Sequence, residues 1–212
     1  LANDIVKRGP LPSLTLDKAF MNELWDNIAA DGEFAWVAKV GTGGDMLGRQ
    51  ENRPEQEITD WNELLELLES LPRIDSINIM VEIAGKGVIG IVFRNFNPAG
   101  GILAVSTDDE AWGEAKYKSL RELFQAKKLP FSSKLYTRLG FGVVQTVIPL
   151  SVSFVTIMLI AGLLIPTYIR QSELIWWITA LTLILTLRLA YSISDKLIIY
   201  VMKNYPYIRW LS

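Results

Sequence analysis

The chain has no cysteine and no histidine among its 212 residues. Without cysteine there is no disulfide framework, no zinc–thiolate site and no thiol nucleophile. Without histidine there is no Ser-His-Asp triad, no imidazole metal ligand and no histidine pH switch. Net charge is also nearly absent, at −2. That value is a cancellation between unlike halves. Residues 1–138 hold 16 Lys and Arg against 21 Asp and Glu, a net of −5, while residues 139–212 hold 5 against 2, a net of +3. An acidic first half disfavours non-specific nucleic-acid binding, which needs a basic surface.

What the chain has in excess is apolar residues, at 50%, with a mean hydropathy of +0.24. The excess is concentrated near the C-terminus. Leu139 to Ile169 is a run of 31 residues without a formal charge. As a straight helix it would measure about 46 Å, more than the ~30 Å hydrocarbon core, so a tilt, a kink at Pro149 or an extension beyond the membrane is expected. A second run, Leu174 to Ser194, holds one charge, Arg188. Only Arg170, Gln171, Ser172 and Glu173 clearly separate the two, so residues 131–212 read as an α-helical transmembrane hairpin with spans at about 139–169 and 174–194. Lys127, Lys128, Lys134 and Arg138 precede the first span, and Lys196, Lys203 and Arg209 follow the second. The positive-inside rule then places both termini in the cytoplasm, for a bacterial cell at the inner membrane. Tyr168, Trp176 and Trp177 would mark the outer interface, and Phe131, Tyr136, Tyr205, Tyr207 and Trp210 the inner one. Lack of cysteine agrees with a reducing compartment for the larger domain.

The first span carries a polar stripe. Gln145, Pro149, Ser153, Thr156, Ile160, Leu163 and Thr167 recur at helical spacing and share one face. Such a face packs against a neighbouring helix, or it lines a pore when repeated around a symmetric oligomer. In the second span, Arg188 lies seven residues before Asp195. Arg188 pairs with Asp195 or snorkels to headgroups, or else it faces a pore and favours anions.

Residues 1–12 read as a polar arm broken by Pro10 and Pro12, and the absence of Met at position 1 raises the expectation of a longer native segment. Asp4, Lys7, Arg8 and Pro10 leave no signal-peptide core. Residues 13–130 read as a cytoplasmic α+β domain, an antiparallel sheet with covering helices. Thr15 would cap a helix through Leu16, Phe20, Leu24 and Ile28, stopped by Gly32. Phe34–Val40 alternate as a strand before the loop Gly41–Gly44, with a return strand around Met46–Arg49. Thr59 or Asp60 would cap a helix ended by Pro72. The runs Ile74–Ile83 and Val88–Phe96 flank Ala84-Gly85-Lys86-Gly87 as a hairpin, and Ile102–Ser106 is a further strand. Asp108 opens the last helix, and Leu129-Pro130-Phe131 joins it to the first span without a flexible linker. The order α-β-β-α-β-β-β-α with tight turns excludes a parallel nucleotide-binding sheet, which needs helical crossovers.

No catalytic constellation emerges, and no enzyme activity, cofactor or metal is expected. The glycine loop lacks phosphate-loop spacing, and Asp108, Asp109 and Glu110 sit at a helix start, where acids cap. Arg49, Lys86 and Arg94 could receive an anionic ligand if they converge at one sheet edge. Partners are therefore expected to be membrane lipid, further copies of the chain, and an unidentified cytoplasmic ligand or protein. The arrangement of Leu16–Leu129, Leu139–Ile169 and Leu174–Ser194 resembles the two-span membrane effectors of bacterial antiphage immunity. That resemblance implies a cytoplasmic sensing domain gating a membrane pore. The competing expectation is an adaptor, whose hairpin oligomerises and tethers a protein-interaction domain.

Overall fold

The computed structural model describes residues 5–42, 55–96, 99–137, 140, 142–163 and 173–211. The chain divides into two compact units, Leu1–Tyr136 with Tyr205–Ser212, and Thr137–Asn204. In the first unit, the segment expected as an arm is mostly a strand, β1 (Ile5–Leu11), paired antiparallel with β7 (Gly100–Thr107). The prolines misled because Pro10 lies on an edge strand, where a missing N–H costs no ladder bond. The helix expected from Thr15 also starts later. Leu14–Asp17 is a short strand, β2, and α1 runs over Lys18–Ala29. Its cap is Asp17, whose carboxylate accepts the Phe20 N–H at 2.6 Å.

Among the described residues the main sheet has six strands in the order β1-β7-β6-β5-β3-β4, and every described pairing is antiparallel. Here β3 is Phe34–Gly41, β4 Glu55–Ile58, β5 Ser76–Ile83 and β6 Gly87–Arg94. The expected return strand at Met46–Arg49 lies outside the described residues. The β5–β6 hairpin turns as expected, with Gly85 at φ 69° and Gly87 at φ 153°, conformations that side chains disfavour. Alternation puts Ile77, Ile79, Ile89, Ile91, Leu103 and Val105 on one buried face. Three helices contribute to that core: α1 through Phe20, Leu24 and Ile28, α2 (Trp61–Ser70) through Leu64 and Leu68, and α3 (Glu110–Ala126) through Leu120 and Phe124. Asp60 caps α2 and Asp109 caps α3, each accepting two backbone N–H groups. The acids at 108–110 are thus a helix start.

One charged cluster ties the helices to the hairpin turn. Asp31, just past α1, accepts from Trp112 Nε1 at 2.9 Å and Lys86 Nζ at 3.2 Å, and faces Lys116 Nζ at 2.5 Å. Burial opposes the carboxylate charge, but the bonds from Lys116, Trp112 and Lys86 outweigh it and hold the carboxyl below its ordinary range. A depressed folded pKa contributes stability that is present above the unfolded aspartate pKa and lost as pH falls through the folded one. The Lys116 side chain is only 7% exposed, so neutralising its partner leaves a buried ammonium uncompensated. Asp31→Asn should therefore cost about 3 kcal/mol at neutral pH. In denaturant titrations the gap between wild type and variant should close as pH falls below about 4. An unchanged gap at low pH would contradict the assignment.

Candidate functional site

The chain leaves the first unit through α4 (Pro130–Leu135) and returns to it at Tyr205. Exit and return are latched together. Tyr136 donates its hydroxyl proton to the Tyr205 carbonyl at 2.8 Å, and the Phe131 and Tyr205 rings meet at 5.3 Å. The Tyr136 ring also meets Tyr207 edge-on at 5.4 Å. Beyond Pro206, Ile208–Leu211 forms β8, parallel to β2. Asn95 fixes this strand. Its Nδ2 donates to the carbonyls of Ile74 (2.7 Å) and Ile208 (2.9 Å), while its Oδ1 accepts from the Ile208 N–H (2.8 Å). Ser13 Oγ donates to the Tyr207 carbonyl at 2.6 Å, and the Tyr207 hydroxyl donates to the Leu11 carbonyl. Burial pushes the Tyr207 phenol up to about 12 and raises Tyr136 as well. The expected boundary at 131–212 is corrected accordingly: Tyr205–Leu211 belongs to the sheet-bearing unit. Tyr207 and Trp210, expected at a membrane interface, pack against its core. The alternation of Ile208-Arg209-Trp210 shortly after a proline was the available signal for a strand.

The second unit is a hairpin of two helices. The first, α5, is wound as a wider π turn at Val143–Val147 and then as a regular helix over Ile148–Leu163. Pro149 explains the widening, because its ring would clash with the carbonyl four residues earlier. Within the turn, the Ile148 N–H bonds the Val143 carbonyl. The next carbonyl, Val144, would accept from residue 149, which as proline has no N–H. Ser194 Oγ donates to it instead, at 3.2 Å. The second helix, α6, runs over Leu174–Asn204, ten residues beyond the expected end at Ser194. Asp195 and Lys196 do not stop it, since Lys is a good helix former and a single Asp costs a helix interior only about 0.7 kcal/mol.

The expected stripe is distributed unevenly. Pro149 and Ser153 are buried, Thr156 and Ile160 half-buried, and Gln145 exposed. The Leu163 side chain and Thr167 lie outside the described residues. Buried Thr186, Ala190 and Ser194 recur every fourth residue on α6. Ser153, Thr186, Ala190 and Ser194 are thus covered, as expected where helices pack closely, whereas Ser151 and Ser192 are exposed. Thr156 and Thr186 spend their hydroxyl protons on their own helices, bonding the carbonyls of Val152 and Thr182. Ser153 Oγ is buried without a hydrogen-bond partner among the described residues. On α6, Arg188 is exposed and Asp195 half-buried.

The expected anion site does not assemble among the described residues. Lys86 is bonded to Asp31 at one end of β6, and Arg94 ends the same strand, roughly 27 Å away. Arg49 lies outside the described residues. The shallow hollow beside Lys86 is lined also by Glu82, Asp108 and Asp109, which repel an anion. Among the described residues, no three potential metal ligands gather.

Asn95→Ala removes three buried bonds and should cost about 3 kcal/mol, at about 1 kcal/mol each. Hydrogen exchange should then rise first at Tyr205–Leu211; exchange that rises uniformly instead would deny Asn95 the role of latch.

Comparison of the chain with protein-family models, with curated proteins and with solved structures yields no match.

Proposed function

We propose that the hairpin anchors the chain in a membrane, and that the sheet-bearing unit is an interaction domain held at the cytoplasmic surface, with several copies assembling. The observation that carries this reading is the distribution of apolar surface. Only 11% and 17% of the residues in the two apolar windows are buried, whereas a core helix of a water-soluble fold would be mostly covered. Trp176 and Trp177 stand 77% and 78% exposed near one end of α6, as interfacial aromatics do. From Ser194 to Leu174 the helix rises about 30 Å, the thickness of a hydrocarbon core. The latch at Tyr136 and Tyr205 supports an exit and a return on the same side. The flanking lysines favour the cytoplasm for that side, and a bacterial inner membrane is the setting proposed. Burial of Pro149 and Ser153 within the hairpin favours tethering over lining by that stripe. Because the chain lacks cysteine, a single thiol reports cleanly. The protein should stay in the membrane pellet at alkaline pH, and Glu69→Cys should react with an impermeant maleimide only after the cells are opened. Release into the alkaline supernatant would overturn anchoring.

A second reading, a gated pore of the antiphage two-span kind, draws support from a different face. Arg188, Ser192 and Lys196 are exposed at four-residue spacing on α6. Ionisable side chains at that depth need water or a partner. A ring of copies could gather them along an anion-favouring path that an unidentified cytoplasmic ligand opens. If so, liposomes carrying the chain should pass chloride, and Arg188→Leu should reduce the flux about tenfold or more, since a barrier change of about 1.4 kcal/mol suffices. Assembled chain that passes no ions would leave anchoring alone.

A further inference from the structure

The six-stranded sheet has a second face that no described helix covers. Register places Val6, Val88, Met80, Val92 and Ile102 on it, with Gly90 at its centre, Asn78 beside Val92, and Lys39, Glu82 and Arg94 towards its rim. Val6 is 57% and Met80 51% exposed. A Cβ at Gly90 would meet only Ala104 Cβ, at 4.0 Å, so the centre is a shallow hole. The two lateral edges of the sheet are poor templates for pairing. β1 carries Pro10, and β4 is four residues long with Glu55 and Glu57. Association is thereby steered from the edges to the face.

We propose that this face packs on the same face of a second copy, with the two-fold axis running along the strands. Such an axis lays β6 of one copy over β5 of the other, so that Met80 enters the hole at the second copy's Gly90, twice per dimer. It also sets the β1 edge, bearing Arg8, beside the β4 edge of the other copy, which carries Glu55 and the Glu57 that pairs with Lys39 at 3.3 Å. The face measures on the order of 700 Å² per copy, close to the ~800 Å² each partner of a standard stable interface contributes. Aligned face-to-face packing about 10 Å apart is the usual arrangement of two sheets. An axis along the strands also keeps the Tyr136–Tyr205 latches of both copies at one end, as insertion in one membrane requires. That choice of axis rests on the anchoring proposed above; the choice of face does not.

The test uses the full chain in mild detergent with Val92→Cys, which lies near its own counterpart across the axis, and a short bis-maleimide. A covalent dimer should form from Val92→Cys, and none from Glu69→Cys on the solvent side of α2. Adding Met80→Glu should cut the yield about tenfold, as expected for a loss of about 1.4 kcal/mol. Gly90→Val, which suits a strand but fills the hole, should do the same while thermal unfolding stays cooperative. No dimer at Val92, equal dimer at Glu69, or a Val92→Cys thiol shielded only by liposomes would overturn the proposal; the last would identify lipid as the occupant. Because the cross-link is read in detergent, its failure is distinguishable from failure to resist alkaline extraction.

Discussion

The closure of the chain on itself is the constraint from which the remaining architecture follows. Between Tyr136 and Tyr205 the chain makes a 68-residue excursion, Thr137 to Asn204, and then returns to the residue it left. Closing a flexible loop of that length would cost several kcal/mol of chain entropy. Two long helices packed as a hairpin bring the ends back with little freedom left to lose. The β2–β8 pair, the Asn95 fork and the tyrosine contacts then act on ends that are already close. Because β8 fills the core beside Leu14 and Leu16, the sheet-bearing unit is built from both ends of the chain.

Local patterns carried most of what was readable in advance. The Asp60 and Asp109 caps, the Gly85–Gly87 turn, the β5–β6–β7 strands and the two long apolar helices depend on neighbours in sequence. The segments that escaped are those whose partners are remote. β1 has little alternation of its own and is held by β7 about a hundred residues away. β2 looks like the first turn of α1 until β8 is present to pair with it. Tyr207 shows the same limit in another form. An aromatic flanking an apolar run suggests an interface, and only the bond to Leu11 reveals a core residue.

For the candidate site, helical spacing identified which residues of the first span share a face but not what that face meets. A period of 3.6 is the same for packing and for lining water. The π turn went unread because its cause, Pro149, suggested only a kink, and the carbonyl it orphans is satisfied from a helix fifty residues away. Arg94 and Lys86 failed to converge for a simple metric reason: eight strand residues separate them by nearly the full height of the sheet.

The late position of β8 has a consequence for biogenesis. Ribosomes deliver a chain from its N-terminus, and domains ordinarily fold as they emerge. Here the N-terminal unit cannot complete its core while it emerges, because the strand beside Leu14 and Leu16 is made after both apolar helices. Until then Asn95 lacks Ile208, the Ser13 hydroxyl lacks the Tyr207 carbonyl, and β2 lacks its paired strand. Completion of the sheet-bearing unit therefore reports that the hairpin has been made and has turned back. Such a domain would be unfinished, and open to degradation, in any chain whose hairpin had gone astray.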